Sequence, residues 1–145
     1  MSTKKWFLAA VLILGLGAPA IAQDAQELSG ADQDAIRKVI ESQLDAFQRD
    51  DAAGAFAFAS PTIKEMFGDP TTFMSMVRTG YQPVYRPQRF EFLGLRMLEG
   101  QPTQEVLFVD PEGSEVLGLY VMERQPDGSW RINGVYLVQP QDNAT

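Results

Sequence analysis

At 145 residues, with 12 basic against 19 acidic side chains and neither cysteine nor histidine, the chain has the length of one domain and a formal charge of −7. Such an acidic balance repels phosphate backbones and argues against nucleic-acid binding. The missing cysteines remove disulfides, thiol catalysis and thiolate metal sites; the missing histidines remove the commonest metal ligand and general base, so no metal or cofactor is expected.

Lys4 and Lys5 precede an apolar run from Phe7 to Leu16. Gly15, Gly17 and Pro19 break it, and Ala20-Ile21-Ala22 has the small-x-small pattern of a signal-peptidase site. The expectation is a signal peptide over residues 1–22, a mature start at Gln23 and export to the periplasm of a Gram-negative bacterium. The run is shorter than the roughly 20 residues that span a bilayer. No cysteine follows it for a lipid anchor, so no stable membrane anchor is expected after cleavage. Cleavage removes two lysines and leaves ten basic against 19 acidic side chains, a charge of −9.

Residues 23–28 read as a flexible lead and 29–138 as one α+β domain. Ile36, Val39, Ile40, Leu44 and Phe47 recur at steps of three and four, with Arg37, Lys38, Glu41, Gln48 and Arg49 on the other side, which predicts a long amphipathic helix. Ser29, with Asp32 three residues later, suits its N-terminal cap. Asp50-Asp51 ends that helix or caps a short one over Ala52 to Ala59. A further turn follows over Thr62 to Phe67, and Asp69-Pro70 opens a helix over Thr71 to Thr79 that stops at Gly80.

From Tyr81 the pattern changes. Tyr81-Gln82-Pro83-Val84-Tyr85-Arg86-Pro87 carries too many prolines for a helix interior or a central strand, and reads as an extended edge or structured loop. Arg89 to Leu98 is a strand whose apolar phase shifts at Gly94, predicting a bulge. Thr103 to Val109 and Ser114 to Arg124 pair across the turn Asp110-Pro111-Glu112-Gly113. Gln125-Pro126-Asp127-Gly128 then leads into Ser129 to Val138, the last strand and the staple of a curved antiparallel sheet of about four strands. Residues 139–145 are expected to be a loose tail. Helices first and strands after predict N-terminal helices packed on one face of that sheet, in a cone-like arrangement.

Several segments together resemble a known family. They are Ala59-Ser60-Pro61, Met66-Phe67-Gly68 with Phe73, Met76-Val77, Tyr81, Val84-Tyr85-Arg86-Pro87, and Asp127-Gly128-Ser129-Trp130-Arg131-Ile132-Asn133-Gly134-Val135. The chain resembles the bacterial family called domain of unknown function 4864 over nearly all of residues 30–138. That family is similar, more distantly, to the nuclear-transport-factor-2-like superfamily of cone-shaped α+β folds, which includes ketosteroid isomerases, polyketide cyclases and non-enzymatic binding modules. The resemblance implies architecture far more than activity, because this fold hosts unrelated functions.

Three constellations bear on function. Arg78, Tyr81, Tyr85, Arg86 and Arg89 make a cationic and aromatic stretch suited to a carboxylate, a sulfate or an acidic protein partner. The plainer reading is that these arginines pair with helix acids. Arg78, Tyr81, Tyr85 and Arg86 are the residues expected to contact a ligand or partner. Phe56, Phe58, Met66, Phe67, Phe73, Met74 and Met76 either line a pocket for an apolar ligand or form the core. An isomerase-like site needs a carboxylate base from Glu65, Asp69 or Glu123 with Tyr120 and Tyr136 turned inward, and no spacing marks one. Asp32-x-Asp34 and Asp50-Asp51 lack the glycine and distal glutamate of a calcium loop and read as helix-end acids.

The leading expectation is therefore an exported, non-catalytic module that binds a small molecule or a partner. The alternatives are a cofactor-free isomerase or cyclase and an assembly module that forms a homodimer through its sheet face.

Overall fold

In a computed structural model, residues 28–140 are described. The expected signal peptide, nearly all of the lead and residues 141–145 lie outside them.

Helix α1 (Gly30–Gln48) starts where Ser29 Oγ accepts the Asp32 amide at 3.0 Å, and it buries Ile36, Ile40, Leu44 and Phe47 along one stripe. Each of the next three helices also has a side-chain cap at its first turn. Asp51 caps α2 (Ala52–Ala57), Ser60 caps α3 (Pro61–Phe67) and Asp69 caps α4 (Pro70–Gly80), each accepting an amide three residues on. Proline opens α3 and α4, where its missing N–H costs nothing.

The segment expected to be an extended edge or loop instead contains a one-turn helix, α5 (Gln82–Tyr85). The physical reason is position: Pro83 sits in the first turn, where proline is tolerated, and Val84 is buried in the core.

Four strands follow: β1 (Arg89–Leu98), β2 (Gln101–Val109), β3 (Glu115–Arg124) and β4 (Trp130–Val138). They pair antiparallel in the order β1-β2-β3-β4, so the meander is open, with β1 and β4 as its edges. The β1 register shifts between Phe92 and Leu95, where Gly94 predicts a bulge. A second shift lies between Val121 and Met122, opposite Asn133, and it turns the alternation of β4 over. Trp130 and Ile132 face the helices before it, Val135 and Leu137 after it, and Tyr136 is 60% exposed. The inward Tyr136 of the sequence reading is corrected by this one extra residue.

Helices α1 and α3 lie against β4 and α5 lies against β2 on one sheet face, α2 packs on α1, and α4 packs on α2, α3 and α5. The core joins Ile36, Ile40 and Phe47 to Val106, Phe108, Tyr120 and Met122. The last strand is pinned at its start. Trp130 Nε1 donates to Asp32 at 3.4 Å, Arg124 bridges Asp32 at 2.9 Å, and the Arg124 guanidinium stacks 4.5 Å from the Trp130 ring. Asp32 is held below the usual carboxylate range chiefly by Arg124, so it serves as a structural tie between α1 and β4.

Candidate functional site

Three of the four expected contact residues meet on one carboxylate. Asp50 follows α1 in a left-handed conformation with φ of 54°, which aims its side chain at the α4–α5 corner. Tyr85 Oη donates to Asp50 Oδ1, and Arg86 Nη2 donates to Oδ2 at 3.0 Å. Arg78 lies 3.6 Å from the same carboxylate and donates from Nε to Tyr85 Oη at 3.2 Å. Arg86 also donates to the Phe47 carbonyl at 2.6 Å, which satisfies the C-terminal end of α1, and its guanidinium stacks 4.1 Å from the Tyr85 ring. The Tyr85 hydrogen bond and then the two guanidiniums hold Asp50 below its ordinary range.

This corner is close to neutral. Asp45, Asp50 and Asp51 face Arg49, Arg78 and Arg86 in four ion pairs. The guanidiniums that sequence reading offers to an outside anion are thus engaged by the end of α1.

Tyr81 stands apart from this cluster. It ends α4, and its hydroxyl donates to the Val135 carbonyl on β4 at 3.2 Å. There it lines a cavity of about 290 Å³ between α3, α4 and the edge of β4. Ile63, Met66 and Phe67 come from α3, and Phe73, Met76 and Val77 from α4. Ile132 to Tyr136 form the strand side, and Gln43 and Phe47 of α1 the floor. Exposed Met66 stands at its mouth. The helical periodicity of α3 and α4 places these apolar side chains on the sheet-facing side, so the pocket wall and the core are one continuous surface.

The few polar groups of this wall are already partly engaged. Gln43 Nε2 donates to the Ala55 carbonyl at 3.1 Å, and Asn133 Oδ1 accepts from Ser60 Oγ at 2.7 Å. Asn133 is the bulged residue of β4. The glycine beside it, Gly134, is the local sign of a bend in this strand, but which residue bulges is set by the pairing with β3. The signal that was legible is the dense set of Phe and Met in the middle helices, of which Met66, Phe67, Phe73 and Met76 line the cavity.

Among the described residues no carboxylate lines it. Glu65 and Asp69 are exposed, and Asp69 accepts the Thr72 amide as a helix cap; Glu123 accepts from Gln125 Nε2 at 3.0 Å. Tyr120 is fully buried behind Phe108 with no hydrogen-bond partner among the described residues, and burial raises its pKa. Among the described residues no three Asp or Glu side chains converge as a metal site requires.

Comparison with known proteins bears on this architecture. The family described as Domain of unknown function (DUF4864) matches residues 29–145, all the helices and strands above. The chain belongs to that family. No curated protein and no solved structure matches it. The four-stranded sheet, its helical cover and the apolar cavity at the β4 edge are therefore described for a member of a family whose function is not assigned.

Proposed function

We propose that the protein is a non-catalytic binding module that receives an apolar group in the cavity between α3, α4 and β4. The observation that carries this reading is the cavity wall: apolar side chains on most sides, a few side-chain amides and hydroxyls, and no carboxylate among the described residues. That composition suits orientation of an apolar ligand by a few hydrogen bonds. It gives proton abstraction nothing to work with, so the geometry favours binding over an isomerase or cyclase. Its volume, near the lower end of the roughly 300–1,000 Å³ range of ligand clefts, suits a small molecule or one side chain of a larger partner. Binding of an anion at Arg78 and Arg86 would have to displace Asp50, which is why the site is placed beside Tyr81 instead.

Export to the periplasm belongs to the same proposal on the strength of the Lys4 to Ala22 pattern. So does membership of the nuclear-transport-factor-2-like superfamily, which rests on helices preceding a single bent sheet. Native mass spectrometry of the protein purified from its host tests the binding reading. A bound small molecule or peptide on the wild type, lost in Met76→Trp with the fold retained by circular dichroism, is the expected result. Identical unliganded masses for both, with no apolar compound raising the melting temperature of either, would refute it.

One observation favours a second reading, assembly with another copy. The sheet face away from the helices carries Leu107, Leu117, Leu119, Val121, Tyr136 and Val138, and no helix among the described residues lies over it. Glu91, Arg96, Glu105, Glu115, Glu123 and Arg131 surround these residues, an apolar centre within a charged rim of both signs. Light scattering at micromolar concentration distinguishes a dimer from a monomer, and Leu119→Lys would dissociate a dimer built on this face.

A further inference from the structure

We infer that the outer edge of β4 beside the cavity takes an extended peptide segment of another protein, paired along the strand and anchored by one bulky apolar side chain in the cavity. The inference rests on the cavity being a binding site and names the class of its ligand.

The chain already adds a short strand to this edge. Ile132 donates to the Phe58 carbonyl at 2.8 Å and accepts the Ser60 amide at 2.9 Å, forming a parallel bridge centred on Ala59. At Ser60 the segment turns into α3 and leaves the edge. Beyond Ile132 no described segment pairs with the outer side of β4. The edge pairing is thus begun by the protein and stops where the cavity opens, so a peptide laid there continues an existing interface.

Asn133 makes this possible. As the bulged residue it shifts the strand's phase, so the next outward carbonyl after Ile132 is that of Val135. Period-two alternation then turns the amide and carbonyl of Leu137 outward as well. The Val135 carbonyl accepts the Tyr81 hydroxyl, a side-chain donor that a peptide amide can replace. An apolar small molecule fills the cavity but leaves this row of backbone groups to water. An extended peptide satisfies both, through main-chain pairing for affinity and one anchor for selectivity. Charge adds a preference: against a chain of −7, a segment with basic residues beside its anchor is favoured at encounter.

The test is selection of random displayed peptides of about twelve residues on the full chain, followed by affinity measurement on the enriched ones and competition with indole. Expected are sequences with one bulky apolar position among alternating residues and basic flanks, displaced by indole. N-methylation of alternate peptide amides should weaken binding roughly tenfold or more in one parity and little in the other, because only one set of amides faces the strand edge. No enrichment, no parity effect, or peptides that indole does not displace would overturn the inference. If indole itself binds the cavity in those cases, the cavity reading survives and only the peptide is lost; if indole does not bind, the cavity reading fails with it.

Discussion

The hydroxyl of Tyr81, at the end of α4, donates to the backbone carbonyl of Val135 on β4 at 3.2 Å, across 54 residues of sequence. It ties the helical layer to the sheet edge at the rim of the cavity. Tyr81→Phe keeps the ring and loses the bond, so we expect a loss of about 0.5–1.5 kcal/mol in denaturant unfolding, the usual net value of one hydrogen bond. A change within error would mean that Val135 is equally well served by water.

Asp50 gives a prediction with a definite pH sign. Its carboxyl titrates below its ordinary value in the folded protein, so the stabilisation it brings is present above the unfolded pKa, roughly 4. It is lost as pH falls through the lower folded value. Asp50→Asn keeps a residue that accepts positive φ and removes the charge. Its melting temperature should fall below wild type at pH 7, and the two should converge as pH falls through the lower folded value. A gap that keeps the same size as the pH is lowered from 7 into the acid range would place the effect in the backbone rather than in the ion pairs with Arg78 and Arg86.

Which parts of this arrangement are legible in the sequence follows from the range of the interactions. Ser29, Asp51, Ser60 and Asp69 cap helices through contacts three residues away, so local pattern suffices to find them. Gly94 marks the β1 bulge for the same reason. The pairing of Asp50 with Arg86 spans 36 residues and carries no local sign, although the general expectation that these arginines meet helix acids describes it. The short helix at Gln82–Tyr85 escapes because three features compete there: two prolines argue for extension, while Val84 gains burial only if the chain turns. The cavity could not be read at all as a place. Its walls come from five elements, α1, α3, α4, α5 and β4, and the residue that shapes its strand side, Asn133, is a bulge set by pairing with β3.

Tyr120 offers a test of the core and of the acid/base alternative together. Its hydroxyl is buried without a partner among the described residues, which costs free energy that phenylalanine would not incur. Tyr120→Phe should therefore leave ligand binding unchanged and raise unfolding stability by about 1 kcal/mol. A destabilised variant would show that the hydroxyl has a bonding partner, such as an internal water.

The central claim is that the space between α3, α4 and the β4 edge receives an apolar group. The most direct measurement is a backbone amide correlation titration of the protein with indole. Saturable shifts concentrated at Ile63, Met76, Val77, Gly134 and Val135, and abolished in Met76→Trp, are what this account predicts. Shifts that do not saturate, or that gather around Arg78 and Arg86 while those amides stay still, would contradict it.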